Sequence, residues 1–235
     1  MACAGAIAGA VASLVLAASE PVIVATEAPF PSYTFLSADG TITGYERDVM
    51  DEVCQRAALD CTWTNTTFDQ LIPGVMSGEY DIVLGGMAVT EERRRLVSFT
   101  DPYYQTDGQE WYIGRPGAPA PERAHTAVQS GTVHEAHLRK LGLRYTSYRT
   151  EPEVLEALRS GSVDLALGPF ETRDDITAYL DANGIDFLYS DLIPDEGVAM
   201  AVCIGNTALL DSLNAALDAM RSDGTLQQIE TRWFQ

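Results

Sequence analysis

Basic side chains are scarce in this chain of 235 residues: 15 Lys and Arg stand against 34 Asp and Glu, a formal net charge of -19. A field of that sign repels phosphate backbones and anionic membrane surfaces, which argues against nucleic acid as a partner. Signatures of catalysis and cofactors are missing as well. There is no Ser-His-Asp order, P-loop or dinucleotide fingerprint, so no cofactor is called for and no reaction is forced by motif. The four cysteines include no CxxC pair and no Cys/His metal spacing. His134 and His137 would supply half a metal site at most, no further ligand stands nearby, and an exposed helix face is the better explanation of their spacing.

What is present begins with Met1–Ser19, a run rich in Ala, Val and Leu that ends in Leu16-Ala17-Ala18-Ser19. An apolar core followed by small residues is the pattern of a secretory signal, here read as residues 1–18 with cleavage near Ala18. The run lacks a positive flank and just reaches membrane-spanning length, so an anchor is the competing reading. With 46% hydrophobic residues the rest of the chain is long enough for one large core or two smaller lobes.

Strand and helix patterns alternate along it. Pro21–Ala25 reads as a β-branched strand, Ala38-Asp39-Gly40 as a hairpin turn, Tyr45–Ala58 as a helix, Cys61–Thr64 as a strand and Phe68–Ser77 as a helix. Tyr80–Gly86 is a short apolar strand, and Thr90–Leu96 opens another helix. The order returns in His125–Gln129, Thr132–Leu141, Tyr145–Tyr148, Glu151–Ser160 and Val163–Leu167. Repetition of strand, helix, strand, helix, strand implies two α/β lobes, each a mainly parallel sheet flanked by helices. The chain is expected to cross near Gly108–Tyr112 and back near Asp195, after which Ala208–Met220 and Thr225–Trp233 form helices on the first lobe. That gives lobe 1 as 20–110 with 196–235 and lobe 2 as 111–195, joined by a two-strand hinge with a ligand cleft between them.

Several residues then stand at strand ends that face such a cleft. Gly85-Gly86-Met87-Ala88-Val89-Thr90 leads from a strand to an N-capped helix, presenting backbone N–H groups and Arg93 to an anion. Arg93 either grips a carboxylate bidentately or pairs with a local acid. Gln129-Ser130-Gly131-Thr132-Val133 repeats the strand-to-helix turn in the second unit. Phe30 and Phe68 are placed to sandwich a ligand or to fill the core, and Glu27 to meet a cation or water. Cys54 and Cys61 span a short helix-to-strand connection and suit either a disulfide or two buried thiols, with Cys203 left as an unpaired core residue.

Together, Gly44-Tyr45-Glu46-Arg47-Asp48-Val49, Phe68–Gly78, Asp81–Arg93, Phe99–Tyr104 and Asp223-Gly224-Thr225-Leu226 with Trp233-Phe234 resemble family 3 of the bacterial extracellular solute-binding proteins. The resemblance covers nearly all of the mature chain. It implies the two-lobe, type II periplasmic-binding-protein fold, a periplasmic monomer that captures an amino acid or related carboxylate-bearing small molecule, and an ABC permease of the inner membrane as partner. It also implies a Cys54–Cys61 disulfide, a ligand carboxylate on Arg93 with help from Gly86, Ala88, Val133 and the Thr132 hydroxyl, and stacking by Phe30 and Phe68. Two departures stand out: Ala88 replaces a usual Ser or Thr, and Pro169 replaces the usual ammonium-binding Asp. Either Glu171 or Glu27 takes over that cation, or the ligand lacks a free α-amine. Enzymes of the family that dehydrate cyclic acids form the alternative class, with Glu27 or Glu171 as general acid.

Overall fold

The computed structural model describes residues 20–171 and 173–234, so the signal expected over 1–18 lies outside the described residues. A continuous apolar and mostly β-branched run forms the first strand, β1 (Val22–Thr26), followed by the hairpin β2 (Phe35–Leu36) and β3 (Ile42–Thr43). Then come α1 (Tyr45–Arg56), β4 (Cys61–Asn65), α2 (Phe68–Ser77), β5 (Ile82–Val83), α3 (Glu91–Arg94) and β6 (Val97–Phe99). The middle of the chain supplies β7 (Gln109–Gly114), β8 (Thr126–Gln129), α4 (Val133–Leu141), β9 (Tyr145–Tyr148), α5 (Glu151–Arg159), β10 (Leu165–Gly168), α6 (Asp174–Asn183) and β11 (Asp186–Leu192). The chain ends with β12 (Ala201–Cys203), α7 (Thr207–Asp223) and α8 (Thr225–Phe234).

Two five-stranded sheets result, ordered β4-β1-β5-β12-β6 and β11-β7-β10-β8-β9. Each holds a parallel block, β4-β1-β5 in one and β10-β8-β9 in the other. The remaining pairings, β5-β12-β6 and β11-β7-β10, are antiparallel, because the chain enters and leaves each lobe through these strands. The fold is therefore α/β in two lobes, with mixed rather than purely parallel sheets.

Both sheets are buried on both faces, and the period of two decides which helix each residue meets. Val24 and Ile82 point to α1, α7 and α8, where Val49, Val53, Leu213 and Leu217 are fully buried. Their neighbours Ala25 and Val83 point to α2, against Leu71 and Val75. In the second sheet Ala166 faces Val154, Leu158 and Ile176, while Leu165 and Leu167 face Leu138. Each such aliphatic side chain contributes about 1.5–3 kcal/mol on full burial, which is what sets the sheet positions.

The Cys54–Cys61 disulfide joins the end of α1 to the start of β4. Cys203, expected as an unpaired core residue, is only partly buried at the end of β12 and is not free. The two crossing segments run side by side between the lobes: Tyr104 bridges Val198, and the Ile193 amide donates to the Gly108 carbonyl at 2.7 Å. No helix among the described residues is long and apolar enough to cross a membrane.

Candidate functional site

A cavity lies between the sheets, where β1, β5, β8 and β10 end. The carboxyl ends of parallel strands are where open α/β sheets leave a crevice for ligands. Of the residues singled out from the sequence, Glu27, Phe30, Phe68, Gly85, Gly86, Ala88, Arg93, Thr132, Val133 and Pro169 line this cavity. Gly131 does not line it but touches the opposite lobe, and Glu171 is exposed on the outside. The acid proposed to replace the usual Asp is therefore not Glu171.

The turn after β1 is pinned before it reaches the cavity. The Asn65 side chain both accepts from the Ala28 amide at 2.9 Å and donates to its carbonyl at 3.1 Å, and the Thr34 hydroxyl donates to the Glu27 carbonyl at 2.6 Å. Glu27 is thereby fixed in a buried position, where both carboxylate oxygens accept from Gln129 Nε2 at 2.8 Å across the cleft. Burial raises its pKa to about 7 against the lowering effect of the Gln129 and Phe68 hydrogen bonds.

Arg93 is also buried, on the four-residue helix α3, whose N-cap Thr90 accepts from the Arg93 amide at 3.2 Å. Its guanidinium donates to the carbonyls of Ala88 at 2.6 Å and of Gly131, on the other lobe, at 3.0 Å, and lies 5.3 Å over the Phe68 ring. Burial lowers its pKa to about 10, opposed by the charges of Glu92 and Asp195, so it stays ionised at neutral pH. The helix expected over Thr90–Leu96 is shorter than the pattern suggested, and the Gly85 and Gly86 amides are not free for an anion. Both donate to Glu46 Oε1, at 3.3 and 2.6 Å, and the Tyr103 hydroxyl donates to the same oxygen. Glu46 is fully buried and its Oε2 has no partner, so desolvation raises its pKa to about 7. This carboxylate shapes the glycine turn from behind. Gly86 itself, at φ +62, passes so close to Phe30 that a Cβ would come within 2.7 Å of Cε1.

On the facing lobe the Thr132 hydroxyl is already engaged, donating to the Gln129 carbonyl at 2.7 Å and accepting from the Glu135 amide at 3.2 Å. The Gly131 amide donates to Glu135 Oε2 at 2.8 Å. What α4 offers the cavity is its first turn at Val133 and His134, where helix amides have no intrahelical acceptor. His134 Nε2 lies 2.9 Å from Glu110 Oε2 but out of hydrogen-bond alignment, and His137 Nε2 meets Asp191 at 2.9 Å, so the two histidines serve different acids.

Sequence reading missed a buried group behind the cavity wall. Arg173 binds Glu151 bidentately at 2.7 and 2.8 Å, and Asp175 at 2.7 Å, and its guanidinium lies 5.1 Å over the Phe30 ring. Burial disfavours its charge, but the carboxylates of Glu151 and Asp175 outweigh this and raise its pKa. Tyr33 stacks on Phe30 at 4.8 Å between centroids. The aromatic shelf expected for the ligand is thus held by the protein's own side chains. Gln129, Glu110, Glu151 and Asp195 also line the cavity without having been singled out. Glu151 opens α5 behind the N-cap Thr150, and nothing local in the sequence marks it as a cavity residue.

The profile of a family described as "Bacterial extracellular solute-binding proteins, family 3" matches residues 22–235. A putative ABC transporter arginine-binding protein 2 of Escherichia coli is 31% identical over 234 residues, 95% of this chain and 94% of that protein. An L-arginine-binding protein of Pseudomonas aeruginosa is 30% identical over 246 residues, covering 98% and 94%. Among solved structures, a periplasmic His/Glu/Gln/Arg/opine family-binding protein from Silicibacter pomeroyi, in complex with lysine, superposes with a TM-score of 0.83 at 29% identity, covering 91% of this chain and 96% of that one.

Proposed function

The chain belongs to the bacterial extracellular solute-binding proteins, family 3, and from that premise we propose that it captures a free amino acid with a basic side chain in the interlobe cavity and delivers it to an ABC permease. One observation carries the charge preference. The cavity is lined by the carboxylates Glu27, Glu110, Glu151 and Asp195 against a single arginine, Arg93, and one histidine, His134. The ligand carboxylate goes to Arg93 and the first turn of α4, the only strongly positive corner of the wall. A basic side chain then meets Glu27, whose raised pKa marks a carboxyl group short of positive partners. Phe68 flanks it, and Gly85, Gly86, Ala88 and Gly131 act through backbone shape rather than as donors. Two of the named relatives are described as arginine-binding proteins and the third was solved in complex with lysine, which agrees with this charge pattern.

Lobe 1 comprises 20–110 with 196–235 and lobe 2 comprises 111–195, with the hinge in the paired crossing segments. The protein acts as a monomer in the periplasm after removal of residues 1–18, and the cavity binds without a chemical step. Calorimetry on protein freed of carried-over ligand by unfolding and refolding tests the reading. Arginine or lysine should bind at micromolar Kd or tighter, about -8 kcal/mol, and glutamate weakly. If no basic amino acid produces heat, the assignment is wrong.

A further inference from the structure

An α-amino acid carries its ammonium on the carbon next to its carboxylate, so the ammonium acceptor must stand beside Arg93. Where β10 runs into the cavity the wall offers Pro169, which has no acceptor side chain. Of the four cavity carboxylates, Glu151 is held through both oxygens by the Arg173 guanidinium and Glu110 faces His134, so each already has a basic partner. Glu27 and Asp195 have neutral donors: Gln129 for both oxygens of Glu27, and for Asp195 the Thr106 hydroxyl at 3.2 Å to Oδ1 and 3.0 Å to Oδ2 and the Gly197 amide at 2.6 Å to Oδ1. Position separates the two: the Glu196 amide donates to the Val89 carbonyl at 3.0 Å and the Val89 amide to the Gly197 carbonyl at 2.8 Å, which sets Asp195 against the turn that leads to Arg93. The charge of Asp195 also acts on Arg93, opposing the effect of burial there.

We infer that Asp195, on the second crossing segment and tied through Thr106 to the first, accepts the ligand's α-ammonium. This rests on the amino-acid reading above and makes the cavity selective for a free α-amine. The ammonium would sit against both crossing strands, so the group that distinguishes an amino acid from a plain acid also bears on the hinge. A cation left unpaired in a closed cavity is strongly disfavoured, which is the source of the selectivity.

The test is calorimetry on the full refolded chain with L-arginine and L-lysine, each paired with its des-amino counterpart, 5-guanidinopentanoate and 6-aminohexanoate. Wild type should prefer each amino acid over its counterpart by about a hundredfold. Asp195→Asn should lose most of that preference by weakening the amino acid alone, with the counterparts bound as in wild type. Glu110→Gln should shift amino acid and counterpart together. Asp195→Ser serves as the second variant should the Asn form fail to fold. Unchanged preference in either Asp195 variant, or equal loss for both members of a pair, overturns the inference while leaving an amino-acid receptor. If wild type binds none of the amino acids, the functional reading fails and the inference with it.

Discussion

Glu27 and Arg93 are buried for opposite reasons, and each shows how one position decides what the cavity accepts. Arg93 keeps its charge because two carbonyls and the Phe68 face replace water. Glu27 has no cation beside it, so burial lifts its pKa to about 7 and near neutral pH a part of the population is protonated. A basic ligand side chain needs the ionised form. Binding should therefore release a fraction of a proton near pH 7, and affinity should fall as pH drops below 7. Calorimetry at pH 7 in buffers of differing ionisation enthalpy reads the proton directly, and Glu27→Gln should abolish both effects. Proton uptake instead of release would place the ligand cation elsewhere.

At the scale of elements, the cleft is closed by α4 meeting the start of α2. Gly131, at φ +77, comes so near Asp69 that an added Cβ would lie 3.1 Å from the Asp69 Cα. Gly131→Ala should hold the lobes slightly apart, weakening ligand binding by about tenfold or more, in addition to a loss of about 1–2 kcal/mol in ligand-free stability because Ala is strained at that φ. Affinity unchanged despite that stability loss would show that the approach to Asp69 does not govern closure. The helices that bring these contacts together were legible because their apolar period is strong: α2 spans Phe68–Ser77 as read, and α1 ends two residues short of the expected Ala58. The pattern did not reveal β7, α6 or β11. β11 is an edge strand of largely exposed or half-exposed residues, so it lacks the alternation that burial imposes. The site divides the same way. Residues in strand-to-helix turns, such as Arg93 and Thr132, were visible locally, whereas Glu151, Arg173 and Asp195 reach the cavity or its back wall only through the tertiary arrangement.

For the molecule as a whole, both lobes are already drawn together by side chains that a ligand would compete with or join. Glu27 to Gln129, Arg93 to Gly131 and Arg149 to Thr67 all cross the cleft. Glu27 and Glu46 have folded-state pKa values of about 7, above the usual 4.5 of an unfolded glutamate. A raised carboxyl pKa favours the folded state fully below 4.5, and that contribution is lost as pH rises to about 7 and stays flat above. The melting temperature of ligand-free protein should therefore fall between pH 5 and 7 on account of these groups, and Glu46→Gln should flatten the profile in that window. A slope unchanged in Glu46→Gln would show that Glu46 is ionised in the folded state well below pH 7.

The most direct measurement is a crystal structure of the refolded chain with L-arginine or L-lysine. The ligand should lie in the interlobe cavity, its carboxylate within hydrogen-bond distance of the Arg93 guanidinium and the Val133–His134 amides, and its side-chain cation near Glu27. A ligand outside this cavity, or one with its carboxylate turned away from Arg93, would contradict the account.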